Sequence, residues 1–287
     1  MMKNSNGVHY NPTKKKKVLF ILGATATGKS RLSIDIATHF PAQIINSDKI
    51  QVYKGFDIVT NKMHESQRRG VPHHLLGFIS NPDADFTVHE FCHYVETTIN
   101  DITQHGCIPI ITGGSNSYIK ALVEDSDINF RSKYDCCFLW VDVSLPVLFE
   151  YIGRRVDQMV EDGLVEEIRE MFKPGADYSR GIRRAIGIPE LEKYFLVEKK
   201  LNEDLGGDYK EALLRVAIEE TKINTCKLVF RQLEKIHRMK NELSWEMHRI
   251  ETTAVIEKYG KERTEELWNK LVLKPSLEIM DRFLKRD

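Results

Sequence analysis

Four short stretches carry residues able to do chemistry. The first is Gly23-Ala24-Thr25-Ala26-Thr27-Gly28-Lys29-Ser30. Its G-x-x-x-x-G-K-S pattern lets backbone N–H groups curl around a phosphate, while the lysine adds a formal charge and the serine hydroxyl stands where Mg²⁺ is held. The second is Asp48, just past the apolar run Gln43-Ile44-Ile45-Asn46. It could sit beside the phosphate loop, or serve as a helix cap or turn residue. The third is Thr112-Gly113-Gly114-Ser115-Asn116-Ser117, a second glycine turn opening onto a helix, where N–H groups could again meet an anion. The fourth is Arg183-Arg184, between Gly181 and Gly187. Guanidinium forks match diphosphate oxygens, although two arginines at a helix end can also be merely solvated.

Two further patterns invite a metal. His89-Glu90-Phe91-Cys92-His93 matches H-E-x-x-H, which on a helix sets two imidazoles on one face for zinc. No third ligand is spaced to join them, and the phosphate loop belongs to a different reaction class, so zinc is not expected. Asp142 lies in the apolar run Cys136 to Val143 and could be a Mg²⁺ ligand, but such an acid usually closes its strand. His73 and His74 are adjacent, point apart on any regular element, and do not suggest a shared metal.

The elements that must position these groups follow from hydrophobic spacing. Val18 to Leu22, Gln43 to Asn46, Cys107 to Ile111 and Cys136 to Val143 read as short buried strands, with Trp245 to Ile250 as a last one. Helical spacing predicts helices over Arg31 to Phe40, Phe86 to Gln104, Val147 to Val160, 163 to 172, about Asp208 to Lys240, and Ile256 to Val272. Strand, glycine loop and helix in succession predict an α/β fold, a P-loop nucleoside-triphosphate-hydrolase-like parallel sheet flanked by helices, with a smaller mainly helical domain. The expected divisions are a basic tail (1–16), a P-loop core (17–143), a smaller helical region covering substrate (144–207), a long helix and strand returning to the core (208–252), and C-terminal helices (253–287).

Composition narrows the partners. Lys+Arg and Asp+Glu are both 42, so the chain lacks the excess positive charge of a large nucleic-acid footprint. The five cysteines form no C-x-x-C pair and read as thiols of a reducing compartment. No stretch approaches the roughly 20 apolar residues that cross a bilayer, so no membrane partner is expected. The first residues lack the apolar core of a secretory signal and the Arg- and Ser-rich character of a transit peptide, which favours a cytoplasmic location slightly over a plastid one. The motifs alone describe a P-loop protein that handles a phosphorylated small molecule with Mg²⁺. Kinase, nucleotide hydrolase and transferase all remain open.

The order of motifs goes further. Gly-Ala-Thr-Ala-Thr-Gly-Lys-Ser, Asn-Ser-Asp-Lys-Ile-Gln-Val-Tyr, Gly-Val-Pro-His-His-Leu-Leu, Gly-Gly-Ser-Asn-Ser-Tyr, Trp-Val-Asp-Val-Ser and Gly-Ile-Arg-Arg-Ala-Ile-Gly follow one another as in isopentenyltransferases. The chain resembles plant adenylate isopentenyltransferases, which begin cytokinin synthesis, and more distantly tRNA dimethylallyltransferases. The resemblance implies that Gly23 to Ser30 hold the diphosphate of dimethylallyl diphosphate, with Mg²⁺ on Ser30. It implies that Asp48 takes a proton from, or orients, the adenine N6 amine, that Lys29 stabilises the departing diphosphate, and that Arg184 clamps it. Thr27 is a lesser contact, and Gly114, Ser115 and Asn116 lie beside donor or acceptor. The acceptor expected is free ADP or ATP, in preference to AMP, and the protein is expected to be a monomer. A tRNA substrate is not expected: the stretch between the Gly-Gly-Ser helix and the Cys136 strand is short, the net charge is zero, and a C-terminal Cys/His zinc finger is lacking. The tRNA enzymes carry Lys-Arg-Gln late in the chain, where this sequence has Phe230-Arg231-Gln232, so Arg231 is given no role.

Overall fold

The computed structural model describes residues 15–200 and 207–286. Six parallel strands form one sheet: β1 (Lys16–Leu22), β2 (Ala42–Asn46), β3 (His73–His74), β4 (Ile108–Thr112), β5 (Tyr134–Asp142) and β6 (Met247–Glu251), in the order β3-β2-β4-β1-β5-β6. The helices are α1 (Lys29–His39), α2 (Val88–Gln104), α3 (Asn116–Glu124), α4 (Phe130–Lys133), α5 (Leu145–Glu161), α6 (Leu164–Met171), α7 (Glu192–Lys200), α8 (Gly207–Asn241), α9 (Thr253–Glu257), α10 (Thr264–Trp268) and α11 (Lys274–Lys285), with a π-helical turn at Asn269–Leu273.

The central strand shows why an unbroken apolar run is needed. Val18, Phe20 and Leu22 of β1 face one core, with residues of α2, α3 and α8; Leu19 and Ile21 face the other, with residues of α1 and α11. All five are fully buried, each worth about 1.5–3 kcal/mol against exposure. A strand flanked by β4 and β5 and covered on both faces has no solvent side, so alternation is absent from its sequence. A third cluster, with Ala24, Leu148, Ile152, Val229 and Ile256, joins the glycine loop to α5, α8 and α9. Because every strand runs the same way, the loops after β1, β2 and β4 emerge together at one edge of the sheet, the ligand crevice of such folds.

Two expectations change. Residues 1–14 of the expected basic tail lie outside the described residues, but Lys16, its last residue, belongs to β1, where the next residue, Lys17, pairs with Asp135 at 3.1 Å. The single closing helix expected over Ile256 to Val272 is broken. Gly260 (φ 77°) and Arg263 (φ 65°) are left-handed, which ends α9 and lets α10 set out in a new direction. The H-E-x-x-H stretch is the start of α2: Glu90 accepts from the Thr87 N–H at 2.8 Å and Thr87 caps the Glu90 N–H, a reciprocal capping box. His89 and His93 are exposed, and no group of three or more His, Cys, Asp or Glu able to hold a metal occurs among the described residues. Nor is any helix long and apolar enough to cross a membrane among them.

Candidate active site

The loop after β1 is built around Lys29. Gly23 (φ 153°) cannot be replaced, since a Cβ there would stand 2.5 Å from the Val141 carbonyl oxygen. Gly28 (φ 95°) is the left-handed N-cap of α1, and no side chain caps that helix, so its first N–H groups stay available to an anion. Lys29 Nζ folds back to donate to Ala24 O at 2.5 Å, and Thr27 Oγ1 donates to the same carbonyl at 2.9 Å. Lys29 is only 7 % exposed. Its pKa falls to about 8, chiefly through burial, with Asp48 opposing the fall and Arg155 adding to it.

A cavity of about 970 Å³ opens in front of this loop, lined by Thr25, Lys29, Ser30, Asp48, Gly113, Gly114 and Arg155. Ile58, Met159, Val255, Ile256 and Trp268 give it apolar wall, and Arg68 and Arg69 add positive charge. Asp48 is aimed by a local lattice. Its N–H donates to Asn46 Oδ1 at 3.1 Å, its Oδ1 accepts from the Ile50 N–H at 2.9 Å, and Asn46 Nδ2 donates to the Asp48 carbonyl at 3.0 Å. The Gly113-Gly114 turn lets that loop come close. A Cβ on Gly113 would lie 2.5 Å from the Ser47 carbonyl carbon, and one on Gly114 would lie 2.9 Å from Asp48 Oδ2. Two glycines are therefore required by contact with the Asp48 loop as well as by the turn.

Two residues of distant helices complete the arrangement. Gln232 of α8, 5 % exposed, accepts from the Thr25 N–H at 2.8 Å and donates to Gly114 O at 2.9 Å, so one amide ties the two glycine turns together. Arg155 of α5 donates to Thr25 Oγ1 at 3.1 Å, while its Nε–H is buried without a partner. A buried unpaired donor costs about 1–3 kcal/mol, a debt that an anion in the cavity can cancel.

A strand-loop-helix cradle with a buried lysine, an aimed carboxylate and a waiting guanidinium suits an anionic leaving group and an acidic proton. The IPP transferase family model matches residues 51–132 and 126–239. The chain belongs to the IPP transferase family. It is 51% identical over 272 residues to adenylate isopentenyltransferase 5 of Arabidopsis thaliana, described as chloroplastic, covering 94% of this chain and 81% of that one. It is 42% identical to an adenylate isopentenyltransferase of Humulus lupulus, covering 92% and 89%. Among solved structures, a eukaryotic dimethylallyltransferase acting on tRNA superposes with a TM-score of 0.77 at 23% identity, covering 94% of this chain and 80% of that one. A tRNA isopentenylpyrophosphate transferase of Bacillus halodurans gives 0.69 at 26% identity, covering 92% and 99%. These neighbours bear out the P-loop-like α/β fold. Relatives in Arabidopsis are described as chloroplastic or mitochondrial, which lends no support to the cytoplasmic preference.

In this IPP transferase Thr25, Ala26, Gly28, Lys29 and Ser30 of the loop share one cavity with Asp48 and Gly114, while Gly23, Ala24, Thr27 and Arg184 do not line it. Arg184 sits 3.6 Å from Asp85, near enough to Tyr53 and Lys49 to influence both, with Nε and Nη2 buried and unpaired by hydrogen bonds. Ser115 is turned to the Asp48 loop, accepting from the Lys49 N–H at 3.0 Å, and buried Asn116 donates to the Gln232 carbonyl at 3.2 Å. Asp142 is taken by Arg249 at 2.7 Å, which answers the alternative of a metal ligand there. Gln232, Arg155 and Trp268 were not singled out by the sequence. For Gln232 a signal existed, since it directly follows Arg231 in the late Arg-Gln pair.

Proposed function

We propose that this enzyme transfers the dimethylallyl group of dimethylallyl diphosphate to the N6 amine of a free adenine nucleotide, releasing diphosphate. The new N6–C1 bond forms as the C1–O bond to diphosphate breaks, and the amine proton leaves to Asp48. Support comes first from identity above half with adenylate isopentenyltransferases. It comes also from one cavity that joins a phosphate loop to a carboxylate.

The roles follow from chemistry. The adenine amine is weakly nucleophilic because its lone pair is delocalised, so a carboxylate within reach speeds attack by accepting the proton as the bond forms. Asp48 has one oxygen engaged by Ile50 and the other beside Gly114, which suits that duty. An allylic carbon ionises readily once its diphosphate is neutralised, so Lys29 and the loop N–H groups act as fixed electrostatic stabilisers, with Thr27 holding the Ala24 carbonyl of the loop. We assign the clamp on the leaving group to Arg184, whose Nε and Nη2 are buried and unpaired, together with Arg155, the guanidinium of the loop cavity. Mg²⁺ fits one donor here: Ser30 is exposed at the cavity and its hydroxyl makes no hydrogen bond among the described residues. A divalent ion held mainly by substrate phosphates suits Mg²⁺ better than a protein cage would. When bound, it would neutralise further charge on the diphosphate.

Lys49 has its pKa lowered chiefly by burial, with Arg184 and Lys235 adding to the fall and Asp48 opposing it. The acceptor expected is ADP or ATP in preference to AMP. The enzyme is expected to act as a monomer, and a plastid is as suitable a location as the cytoplasm. The decisive experiment is mass spectrometry after incubation with dimethylallyl diphosphate, Mg²⁺ and, separately, AMP, ADP, ATP and tRNA. The expected product is an isopentenyl adduct on ADP or ATP. Adduct on tRNA alone sinks the acceptor assignment, and no adduct anywhere sinks the reaction.

A further inference from the structure

The segment after β6 lies beyond the family match, which ends at residue 239, yet Val255, Ile256, Tyr259 and Trp268 all line the loop cavity. Trp268 makes the densest connection. It is 2 % exposed, and two of its ring atoms lie 3.1 and 3.2 Å from where a Cβ on Gly28 would be, so the indole rests on the bare Cα of the α1 N-cap. Its Nε1–H donates to Asp35 Oδ2 at 2.7 Å, about one turn along α1 from Arg31, and the Arg31 guanidinium lies 4.2 Å over the ring. Asp35, 6 % exposed, also pairs with Arg69 and stands 3.7 Å from Arg31. Nearby, the Thr252 hydroxyl donates to the Thr27 carbonyl at 3.3 Å.

A glycine loop loses more backbone freedom on ordering than any other sequence, and α1 has no side-chain cap to hold its first turn. Something outside the loop must keep Gly28 left-handed and the following N–H groups aimed into the cavity. The indole does this from the cavity wall, packed on Gly28, and Asp35 locks the indole while holding Arg69 at the same wall. We propose that Trp268 and Asp35 are positioning residues for the diphosphate-binding loop, acting through Gly28 and Arg69 without touching the reacting atoms. This rests on the donor-binding role given to the loop above.

Inorganic diphosphate is the probe, because its binding to the loop can be measured by calorimetry without any prenyl transfer. Trp268→Ala is expected to weaken inorganic diphosphate about tenfold and raise KM for dimethylallyl diphosphate in parallel, leaving KM for the nucleotide within twofold. Trp268→Phe, which keeps a ring and loses the N–H, is expected to fall between, near threefold. Circular dichroism establishes that each variant is folded. A folded Trp268→Ala that binds diphosphate like the wild type overturns the proposal, as does an equal rise in both KM values, which a general loosening of the fold would give. If Trp268→Ala does not fold, Trp268→Phe decides, and wild-type diphosphate affinity there overturns it. A wild-type enzyme that binds diphosphate but forms no adduct would refute the reaction and leave this test standing.

Discussion

Lys29 makes the sharpest prediction, because the same burial that prepares it for an anion destabilises the fold. Its pKa drops from 10.5 to about 8 on folding. Each unit corresponds to about 1.4 kcal/mol, so keeping the ammonium charged in the folded protein at pH 7 costs about 3 kcal/mol. Lys29→Met keeps a similar length without the charge. The Ala24 carbonyl is not orphaned, since Thr27 Oγ1 still donates to it at 2.9 Å. The variant is therefore expected to be more stable than the wild type by about 2–3 kcal/mol at pH 7 in urea unfolding, while inorganic diphosphate binding collapses. The sign over pH follows from the shift. Below about 8 the lysine is charged in both states and the full cost is present; between about 8 and 10.5 the folded protein sheds the proton first and the cost declines; above that it vanishes. The advantage of Lys29→Met should shrink over that window. A variant less stable than the wild type at pH 7, or a stability gap independent of pH, refutes the reasoning.

Other outcomes are expected on the same grounds. The value of kcat/KM for dimethylallyl diphosphate should fall as pH rises through about 8, where free Lys29 loses its charge, and a profile flat to pH 9.5 would count against it. Asp48→Asn should lower kcat by roughly 10²–10⁴ with diphosphate affinity retained, measured by single-turnover kinetics and calorimetry; near-normal turnover would mean the proton leaves by another route. Gly113→Ala forces a Cβ to within 2.5 Å of Ser47 and 2.6 Å of the Asp48 nitrogen, so kcat should suffer more than diphosphate binding. Arg155→Ala should raise the donor KM about tenfold or more, as loss of a charge-assisted contact does, and leave the nucleotide KM unchanged; equal changes in both would remove Arg155 from the clamp.

Much of this was legible in the chain. The sheet strands were visible as apolar runs because β1, β4 and β5 are covered on both faces, and the glycine loop announced its anion because few other sequences can adopt that backbone. Arg155 was not visible. On α5 it follows Arg154, and both look like solvated helix arginines; only the approach of α5 to Thr25 turns one of them inward. Trp268 was hidden for another reason. It lies in a strongly polar stretch that spacing alone joined into one long helix, and the left-handed breaks at Gly260 and Arg263 that swing it onto Gly28 leave only a weak local signature. Conversely, H-E-x-x-H misdirects because the residues of a capping box and of a zinc site overlap at Glu90.

Gln232 gives the two halves of the cavity a common joint. One face of its amide holds the Thr25 N–H of the anion loop, and the other holds the Gly114 carbonyl beside Asp48. An amide cannot rotate to suit one partner without disturbing the other. A ligand at the anion loop that shifted this amide would be felt beside Asp48, and thermodynamic linkage would make that effect mutual: whatever factor the donor confers on nucleotide affinity, the nucleotide must confer on the donor. Binding order in this enzyme is then a matter of rates and concentrations, and Gln232 of α8 is the side chain through which any such coupling would pass.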